Sequence, residues 1–450
     1  MLKIPIYIEN IFKKFKKEGY EIYLVGGAVR DLILKKEVNN WDFTTNAKPE
    51  EIQKLFPESF YNNQYGTVSL PLLVNNQRLI IEITPFRKEG KYNDYRHPKI
   101  IQWAKTLKED LSRRDFTINA IAYDGKKIID PYHGQEDIKN KLISAVGDPE
   151  KRFQEDALRL IRAIRFASQL GFLIEEKTRL AINKNAHLIR KISWERIRDE
   201  FLKILTSPYP AEGIFFLHNT GLLKYILPEL EICFNIPQKS PKRHHIYDVG
   251  THLVLSLKYC ESNDPITRLA TLIHDIGKAK TFKKDEKTGL ITFYNHEVVG
   301  KKLAEKIAER FRLSNKQKDK LVKLVRYHQF SVKENQTDKA LRRFIRNVGK
   351  EYLDDIIALR FADRLGSGAK KDSWRFKLFR KRLEEVQKEP FKITDLKING
   401  FDVMKTLKIK PGPAVGKILK TLFDKVLSGE LKNEREVLLN EIKKNLSALK

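Results

Sequence analysis

The sequence predicts a mixed α/β head followed by a mostly α-helical body. Short β-type apolar runs cluster between Ile22 and Thr84, while from Pro149 onward strand signals nearly vanish and apolar residues recur at helical spacing. Taken in order, Ile6 to Phe15 is expected as an amphipathic helix, with Ile8, Ile11, Phe12 and Phe15 on one face. Ile22 to Val25 reads as a buried strand, Ala28 to Lys35 as a helix and Trp41 to Thr45 as a second strand. Pro49 to Phe56 is a helix with proline in its first turn. Thr67 to Val74 and Arg78 to Thr84 are strands separated by the polar turn Asn75-Asn76. Helical spacing then marks Ala157 to Leu170, Trp194 to Leu205, Val298 to Phe311, Lys318 to Tyr327 and Lys417 to Leu427. A Pro-rich basic stretch, Ile236 to Arg243, and a break at Gly366 to Lys371 divide the helical part. The expected segments are 1–146, 147–235, 236–370 and 371–450.

A chain of 450 residues is long enough for several domains with real cores. Its 87 Lys and Arg against 58 Asp and Glu leave a formal charge of +29, an excess that points to a polyanion partner, RNA or DNA. Cys233 and Cys260 form no disulfide framework or metal motif and read as buried thiols in a reducing compartment. Met1-Leu2-Lys3-Ile4-Pro5 does not read as a signal sequence, and no apolar run approaches membrane length. A soluble, cytoplasmic protein without a membrane partner is expected.

The first chemical feature is Gly26-Gly27-Ala28-Val29-Arg30-Asp31, placed between a strand and a helix. A Gly-Gly turn there lets backbone N–H groups approach a phosphate chain without Cβ interference, and Arg30 adds a charge to that cradle. Next, Asn40 and Asp42 are expected on one strand face with Trp41 on the other. A carboxylate beside a phosphate cradle is where Mg²⁺ for phosphoryl or nucleotidyl transfer would sit. Glu82 lies between apolar neighbours on its strand, either as a solvated edge residue or as a further active-site carboxylate.

These residues resemble the catalytic head of the class II tRNA nucleotidyltransferases (CCA-adding enzymes) and bacterial poly(A) polymerases. The resemblance implies an α/β nucleotidyltransferase head with a mixed β-sheet, then a mostly α-helical body including an HD domain. In that family the second element reads Asp-x-Asp, both carboxylates holding metal; here Asn40 stands in the first place and Asp42 in the second. The run Asp110 to Ala120 is similar to the family motif joining head to neck, which implies that Arg113 or Arg114 reaches the triphosphate. Asp94-Tyr95-Arg96-His97-Pro98 matches a further family element in part, with Tyr95 in the place of a glycine.

Glu155 to Phe166 carries Asp156, Arg159 and Arg162 at three-residue spacing, expected on one helix face with Arg165 drifting round it. Surface ion pairs of this kind contribute only about 0.2–0.5 kcal/mol each. A carboxylate accepting from an exocyclic amine, with a guanidinium donating to the adjacent ring nitrogen, suits cytosine and adenine alike. Uracil and guanine would leave unpaired groups, at about 1–3 kcal/mol each. The resemblance places Asp156 and Arg159 in this template role, choosing CTP and ATP.

A second constellation comprises His252, His274-Asp275, His296, His328 and Asp363. Imidazoles and carboxylates suit Mn²⁺, Ni²⁺, Co²⁺ or Zn²⁺. The set resembles an HD-domain phosphohydrolase site. That implies one metal held by His252, His274, Asp275 and Asp363, Mg²⁺ being a further candidate, a second metal at His296 and His328, and activity on 2′,3′-cyclic phosphate or other phosphomonoester ends. In the tail, Lys410 to Gly416 is expected to open the helix Lys417 to Leu427, either as a phosphate-binding helix start or as a plain one.

The function expected is template-independent addition of C and/or A from CTP and ATP to the 3′ end of tRNA, Mg²⁺ serving the head. The alternative is an HD-domain RNA-end phosphatase whose head, with Asn40, is a binding module. A non-catalytic RNA binder would need neither Asp156 with Arg159 nor the His/Asp set.

Overall fold

The computed structural model describes residues 2–61, 66–74, 76–89, 101–238, 247–330, 336–369, 374–386 and 393–445. The Asp94–Pro98 element, residue 75 of the expected turn, residues 239–243 of the linker and residues 370–371 lie outside them. Two compact units result, residues 1–232 with 309–312, and residues 233–308 with 313–450.

In the first unit a mixed sheet is built from β1 (Ile22–Val25), β2 (Asp42–Thr45), β3 (Phe60–Tyr61), β4 (Val68–Val74) and β5 (Gln77–Pro85). A separate hairpin pairs β6 (Arg87–Glu89) with β7 (Ile101–Trp103), and β8 (Ala122–Tyr123) and β9 (Ile128–Ile129) complete the main sheet. The strand order is β3-β4-β5-β2-β1-β8-β9. All its pairs are antiparallel except β2 with β5, which run parallel. One face is covered by the helices Ile6–Lys17 and Pro49–Leu55, whose Ile8, Ile11, Phe12, Phe15 and Ile52 are fully buried or nearly so. Phe12 meets Phe43 edge to face, with ring centroids 5.3 Å apart, a preferred aromatic geometry. Against the other face packs the short helix Leu107–Ser112, through Leu107 and Leu111 onto Val25, Phe86 and Ala122.

The helix expected over 28–35 runs Gly27–Ile33. β2 begins at Asp42 rather than Trp41, because its partner β1 ends at Val25, opposite Asp42, where Gly26 turns away. Trp41 contributes only its carbonyl to the ladder, accepting from Glu82 N–H at 3.2 Å, while its ring is buried. After residue 149 the first unit is helical through Pro149–Glu155, Leu158–Leu170, Glu176–Asn185, Trp194–Leu205 and Pro210–Asn219, apart from the two-residue strand Leu173–Ile174. Trp194–Leu205 has the bounds that its periodicity predicts.

The second unit packs Val249–Lys258 against Leu353–Gly366, with Pro265–Ile273 and Asn315–Tyr327 alongside, through a wholly buried set including Leu253, Leu257, Leu269, Leu324, Ile356 and Leu359. Within this unit residues 393–445 form their own apolar cluster, centred on Val403, Leu422, Phe423, Val426 and Leu438. The tail helix starts at Pro413, so Val415 and Gly416 lie inside its first turn rather than ahead of it. Val415 is buried in the cluster, which is what draws the helix start forward of Lys417.

Candidate active site and metal centre

Asp42 and Glu82 are cross-strand partners in the β2–β5 register, so their side chains leave the sheet on the same face. β5 is an interior strand between β4 and β2, which removes the edge-residue reading of Glu82; its side chain is nonetheless exposed. Beside them, Gly26 holds φ +71°, and a Cβ there would stand 3.1 Å from Arg114 Nη1 and 3.8 Å from Asp42 Oδ2. Only glycine combines that backbone with so close an approach. The turn therefore gathers Gly26, Asp42 and Arg114 at one point. Burial raises the Asp42 pKa and the neighbouring Glu82 raises it further, while the Arg114 guanidinium opposes both.

Asn40, expected on the strand face with Asp42, lies instead in the coil before β2 and is exposed. β1 ends at Val25, opposite Asp42, so nothing on it remains to pair ahead of Asp42. Arg30 closes a fork on its neighbour Asp31 (Nε–Oδ1 2.9 Å, Nη2–Oδ2 3.0 Å) and donates to Asn119 Oδ1 at 2.8 Å. Its charge is thus balanced beside the Gly26-Gly27 turn rather than left to the cradle alone.

Arg113 and Arg114 both grip Asp110, at 2.9 and 3.4 Å. Asp110 is fully buried, and although burial pushes its pKa up, the two guanidiniums hold it below the usual carboxylate range. Asp110 was missed as a site residue; its i,i+3 and i,i+4 spacing to the arginines was the available signal. Asp115 accepts from Arg162 Nη2 at 2.6 Å and Nε at 2.9 Å, from Phe116 N–H and from Asn119. Burial opposes the charge, yet these donors bring its pKa down to about 2.

The expected single face of Asp156, Arg159 and Arg162 is corrected in one respect. Asp156 is not helical: it ends the Pro149–Glu155 helix in an extended conformation, and its carboxylate accepts from Leu158 N–H at 3.0 Å as the next helix begins. Residues with short carboxylates favour such helix-starting positions because they satisfy otherwise orphaned N–H groups. Arg159, Arg162 and Arg165 do share the Leu158–Leu170 helix. Arg159 is only 7% exposed, bonded to Glu155 at 2.9 Å and to the carbonyls of Arg152 and Arg113 at 3.2 and 2.9 Å. Arg165 pairs with Glu200 at 3.1 Å, and Arg196 stands 3.6 Å from Asp156.

In the second unit the structure brings all six His/Asp residues together. His252 comes from Val249–Lys258 and His274-Asp275 follow the end of Pro265–Ile273. His296 opens a helix, His328 follows the end of Asn315–Tyr327, and Asp363 lies in Leu353–Gly366. Two groups form, His252 with His274 and Asp275, and Asp275 with His296 and His328, each with ligand atoms close enough to share one ion. Asp275 belongs to both: Oδ2 lies 3.4 Å from His274 Nε2, Oδ1 3.1 Å from His296 Nε2 and 3.3 Å from His328 Nε2. Asp363 Oδ1 adds to the first group, 3.3 Å from His252 Nε2.

Three of the imidazoles are oriented identically. His274, His296 and His328 each direct Nδ1 at a backbone carbonyl three residues earlier, that of Thr271, Phe293 and Val325, at 2.7–2.9 Å. A proton on Nδ1 leaves Nε2 as the lone-pair donor facing the centre, the arrangement a metal requires. Burial lowers the His274 pKa, but the Asp275 and Asp363 carboxylates override it and raise it to about 10. Gly277 is forced by this site, since a Cβ there would lie 2.0 Å from the His296 carbonyl oxygen. Lys278, missed in the sequence though three residues from Asp275, reaches Asp275 Oδ2 at 2.6 Å. A cavity of about 690 Å³ opens onto the cluster, lined also by Gln238, Tyr294, Arg360 and Arg364.

Three stretches match known family models: residues 22–144 the poly A polymerase head domain, 171–233 the probable RNA- and SrmB-binding site of polymerase A, and 281–442 the putative domain 2 of tRNA nucleotidyltransferases. A CCA-adding enzyme of Lactococcus lactis subsp. cremoris (strain MG1363) is 34% identical over 451 residues, covering 99% of this chain and 98% of its own. The chain belongs to the CCA-adding enzyme family. This makes it a nucleotidyltransferase. A second CCA-adding enzyme, from Geobacillus sp. (strain WCH70), is 47% identical over 219 residues, 48% of this chain and about half (53%) of that relative's length. The Bacillus stearothermophilus CCA-adding enzyme, solved in complex with CTP, superposes with a TM-score of 0.75 at 28% identity, over 99% of both chains. The Thermotoga maritima CCA-adding enzyme complexed with tRNA, at 21% identity and TM-score 0.60, shares the fold. Of the cluster residues, His252, His274 and Asp275 fall between the second and third matched stretches. Among the described residues no helix is long and apolar enough to cross a membrane.

Proposed function

We propose that this CCA-adding family member transfers C and A from CTP and ATP to the 3′ end of tRNA without a nucleic acid template. The segments 1–146, 147–235 and 371–450 serve as catalytic head, base-selecting neck and tRNA-binding tail. The observation that carries the reading is the pairing of Asp42 with Glu82 in register, beside Gly26 and Arg114. Two carboxylates on adjoining strands, with Asn40 close in sequence, form an all-oxygen donor set that suits Mg²⁺. Mg²⁺ held there would stabilise charge on the α-phosphate as the tRNA 3′-hydroxyl attacks. Arg113 and Arg114, fixed through Asp110, would meet the triphosphate, with Arg30 at the turn. Asp156 with Arg159 would read the base, Arg162 and Arg165 holding the helix face around them. The test is terminal addition of labelled CTP and ATP to tRNAs lacking A, CA or CCA. Loss of all addition in Asp42→Ala supports the assignment, and unchanged addition overturns it.

The His/Asp cluster favours a second activity in segment 236–370, an HD-type metal-dependent phosphohydrolase. Its support is the convergence of six His/Asp side chains with Nδ1 of three imidazoles fixed on carbonyls. Mn²⁺, Ni²⁺, Co²⁺ or Mg²⁺ bound there would make hydroxide available at neutral pH for attack on a phosphoester. Hydrolysis of 2′,3′-cyclic phosphates that is lost in His274→Ala supports it. If no phosphoester is cleaved with any of these ions, this second activity is absent.

A further inference from the structure

Besides the cavity over the His/Asp cluster, the second unit has another, of about 490 Å³, and the two share no lining residue. It lies where the helix Asp338–Val348 meets the end of Pro413–Leu427. Leu341, Ile345 and Val348 bury the apolar face of the first helix. Lys339, Arg342, Arg343 and Arg346, at i, i+3, i+4 and i+7, form the opposite face, and all four line the cavity.

The charge around this cavity is not balanced locally. Asp424 is its one carboxylate among the described residues. Asp338, at the helix start, is met instead by Arg382 at 2.6 Å. Arg342 is nine-tenths buried, and its Nη1 donates to the carbonyls of Val426 and Leu427 at 3.2 and 2.7 Å. It thereby covers the negative pole of the tail helix, which would otherwise repel an anion. Thr337, whose hydroxyl accepts from the Ala340 N–H, brings the positive pole of its own helix to the same cavity. Lys339, Arg343 and Arg346 are exposed and make no ion pair or side-chain hydrogen bond among the described residues. Like charges at these helical spacings repel one another, and a bound polyanion relieves that repulsion.

The lining also restricts the anion. Among the described residues no lining side chain is aromatic, so a nucleobase has no platform on which to stack. The four cations span two helical turns, about 10 Å. Linked phosphates lie closer together than successive phosphates of an RNA strand, so a short oligophosphate can meet all four inside one cavity. A volume of about 490 Å³ exceeds the needs of a bare phosphate and lies within the range of small-molecule sites.

We infer that this cavity binds a short chain of linked phosphates, gripped by Lys339, Arg343 and Arg346 and backed by Arg342. The chain can be inorganic, such as the pyrophosphate that nucleotidyl transfer releases, or the triphosphate of a free nucleotide whose base stays in solvent. The site is additional to the carboxylate site of the head and to the His/Asp cluster.

The test is amide hydrogen exchange of the full chain, titrated in turn with phosphate, tripolyphosphate, ATP, GTP and a tRNA transcript. Peptides covering 338–348 and 413–427 are followed, which separates this site from triphosphate binding in the head. Tripolyphosphate should slow exchange there with a midpoint about 10-fold or more below that of phosphate, the worth of one added bond between charged groups. Arg343→Ala combined with Arg346→Ala should raise that midpoint about 10-fold or more. Its exchange without ligand in 413–427 should match wild type, since Arg342 is kept. Lys283→Ala combined with Lys284→Ala removes the same charge from an exposed strand of the same unit. That control should shift the midpoint by less than about 2-fold, the screened effect of net charge alone. Equal midpoints for tripolyphosphate, ATP and GTP identify nucleotides as a source beside inorganic chains. Equal weakening of ATP and GTP relative to tripolyphosphate identifies the inorganic chain alone.

The inference is overturned if tripolyphosphate leaves exchange in 338–348 unchanged, or if phosphate acts at the same concentration. It is also overturned if the lysine pair weakens binding as much as the arginine pair. Protection by tRNA alone would assign the surface to an RNA backbone instead, and a preference between ATP and GTP would mean that a base is read; either result sinks the proposal.

Discussion

Replacing Asp115 by asparagine tests the ion pair that ties the start of the neck to the head motif. Asp115 is nine-tenths buried and meets Arg162 through two bonds, at 2.6 and 2.9 Å. Burial works against its charge, but Arg162, with Asn119 adding a bond, brings its pKa from 3.8 down to about 2. At about 1.4 kcal/mol per unit this corresponds to about 2–3 kcal/mol of stability at neutral pH. A depressed carboxylate contributes fully above its unfolded pKa and loses the contribution as pH falls through the folded one. The deficit of Asp115→Asn should therefore be about 2–3 kcal/mol at pH 7 and about half that at pH 3. Breaking one side of a buried pair sets an upper bound of about 3–5 kcal/mol.

Two units need not unfold together, so the signal has to come from the first. Trp41, Trp103 and Trp194 belong to it and Trp374 to the second, so urea titrations followed by tryptophan fluorescence in a Trp374→Phe background isolate the unit of interest. A deficit under about 0.5 kcal/mol at pH 7, within the scatter of ordinary surface substitutions, would refute the reasoning. So would a deficit that does not shrink between pH 5 and pH 3.

Terminal addition by the wild type should be weak at low Mg²⁺ and rise on Asn40→Asp, which adds a carboxylate two residues ahead of Asp42; if addition is full and Asn40→Asp changes nothing, Glu82 is the second ligand to test. Asp156→Ala combined with Arg159→Ala should lose discrimination of CTP and ATP against UTP and GTP while keeping tRNA binding; unchanged selectivity in an active double variant would remove the template assignment. Metal binding at the His/Asp cluster should release protons and tighten as pH rises from 6 to 8, because His274, raised to about 10 without metal, must lose its extra proton to coordinate; calorimetry in buffers of differing ionisation enthalpy reads this directly, and pH-independent binding would contradict it. With +29 formal charges, tRNA affinity should fall steeply with salt, with a log–log slope of about −0.7 to −0.9 per phosphate contacted; a flat response would argue against a tRNA-sized footprint.

The division into a mixed α/β head and a helical body was legible in the sequence because it rests on periodicity, a local property. Ile8, Ile11, Phe12 and Phe15 fall on one face of the first helix and are buried together, and Trp194–Leu205 follows its pattern to the residue. The six His/Asp residues were legible as a set through their chemical type. The tertiary structure decided what depends on pairing between distant segments. That Glu82 adjoins Asp42, that β5 is interior, and that Asn40 falls outside the strand all follow from which strands pair and where β1 ends. That Asp156 leaves the helix, and that Arg159 is enclosed by Glu155 and two carbonyls, follows from a helix junction that residue spacing does not encode. The sharing of Asp275 between two ligand groups, and its link through Lys278 to Gln238, likewise arise only where helix ends from separate parts of the chain converge. Side-chain periodicity is written residue by residue, whereas register, junction and convergence are set by packing across the whole unit.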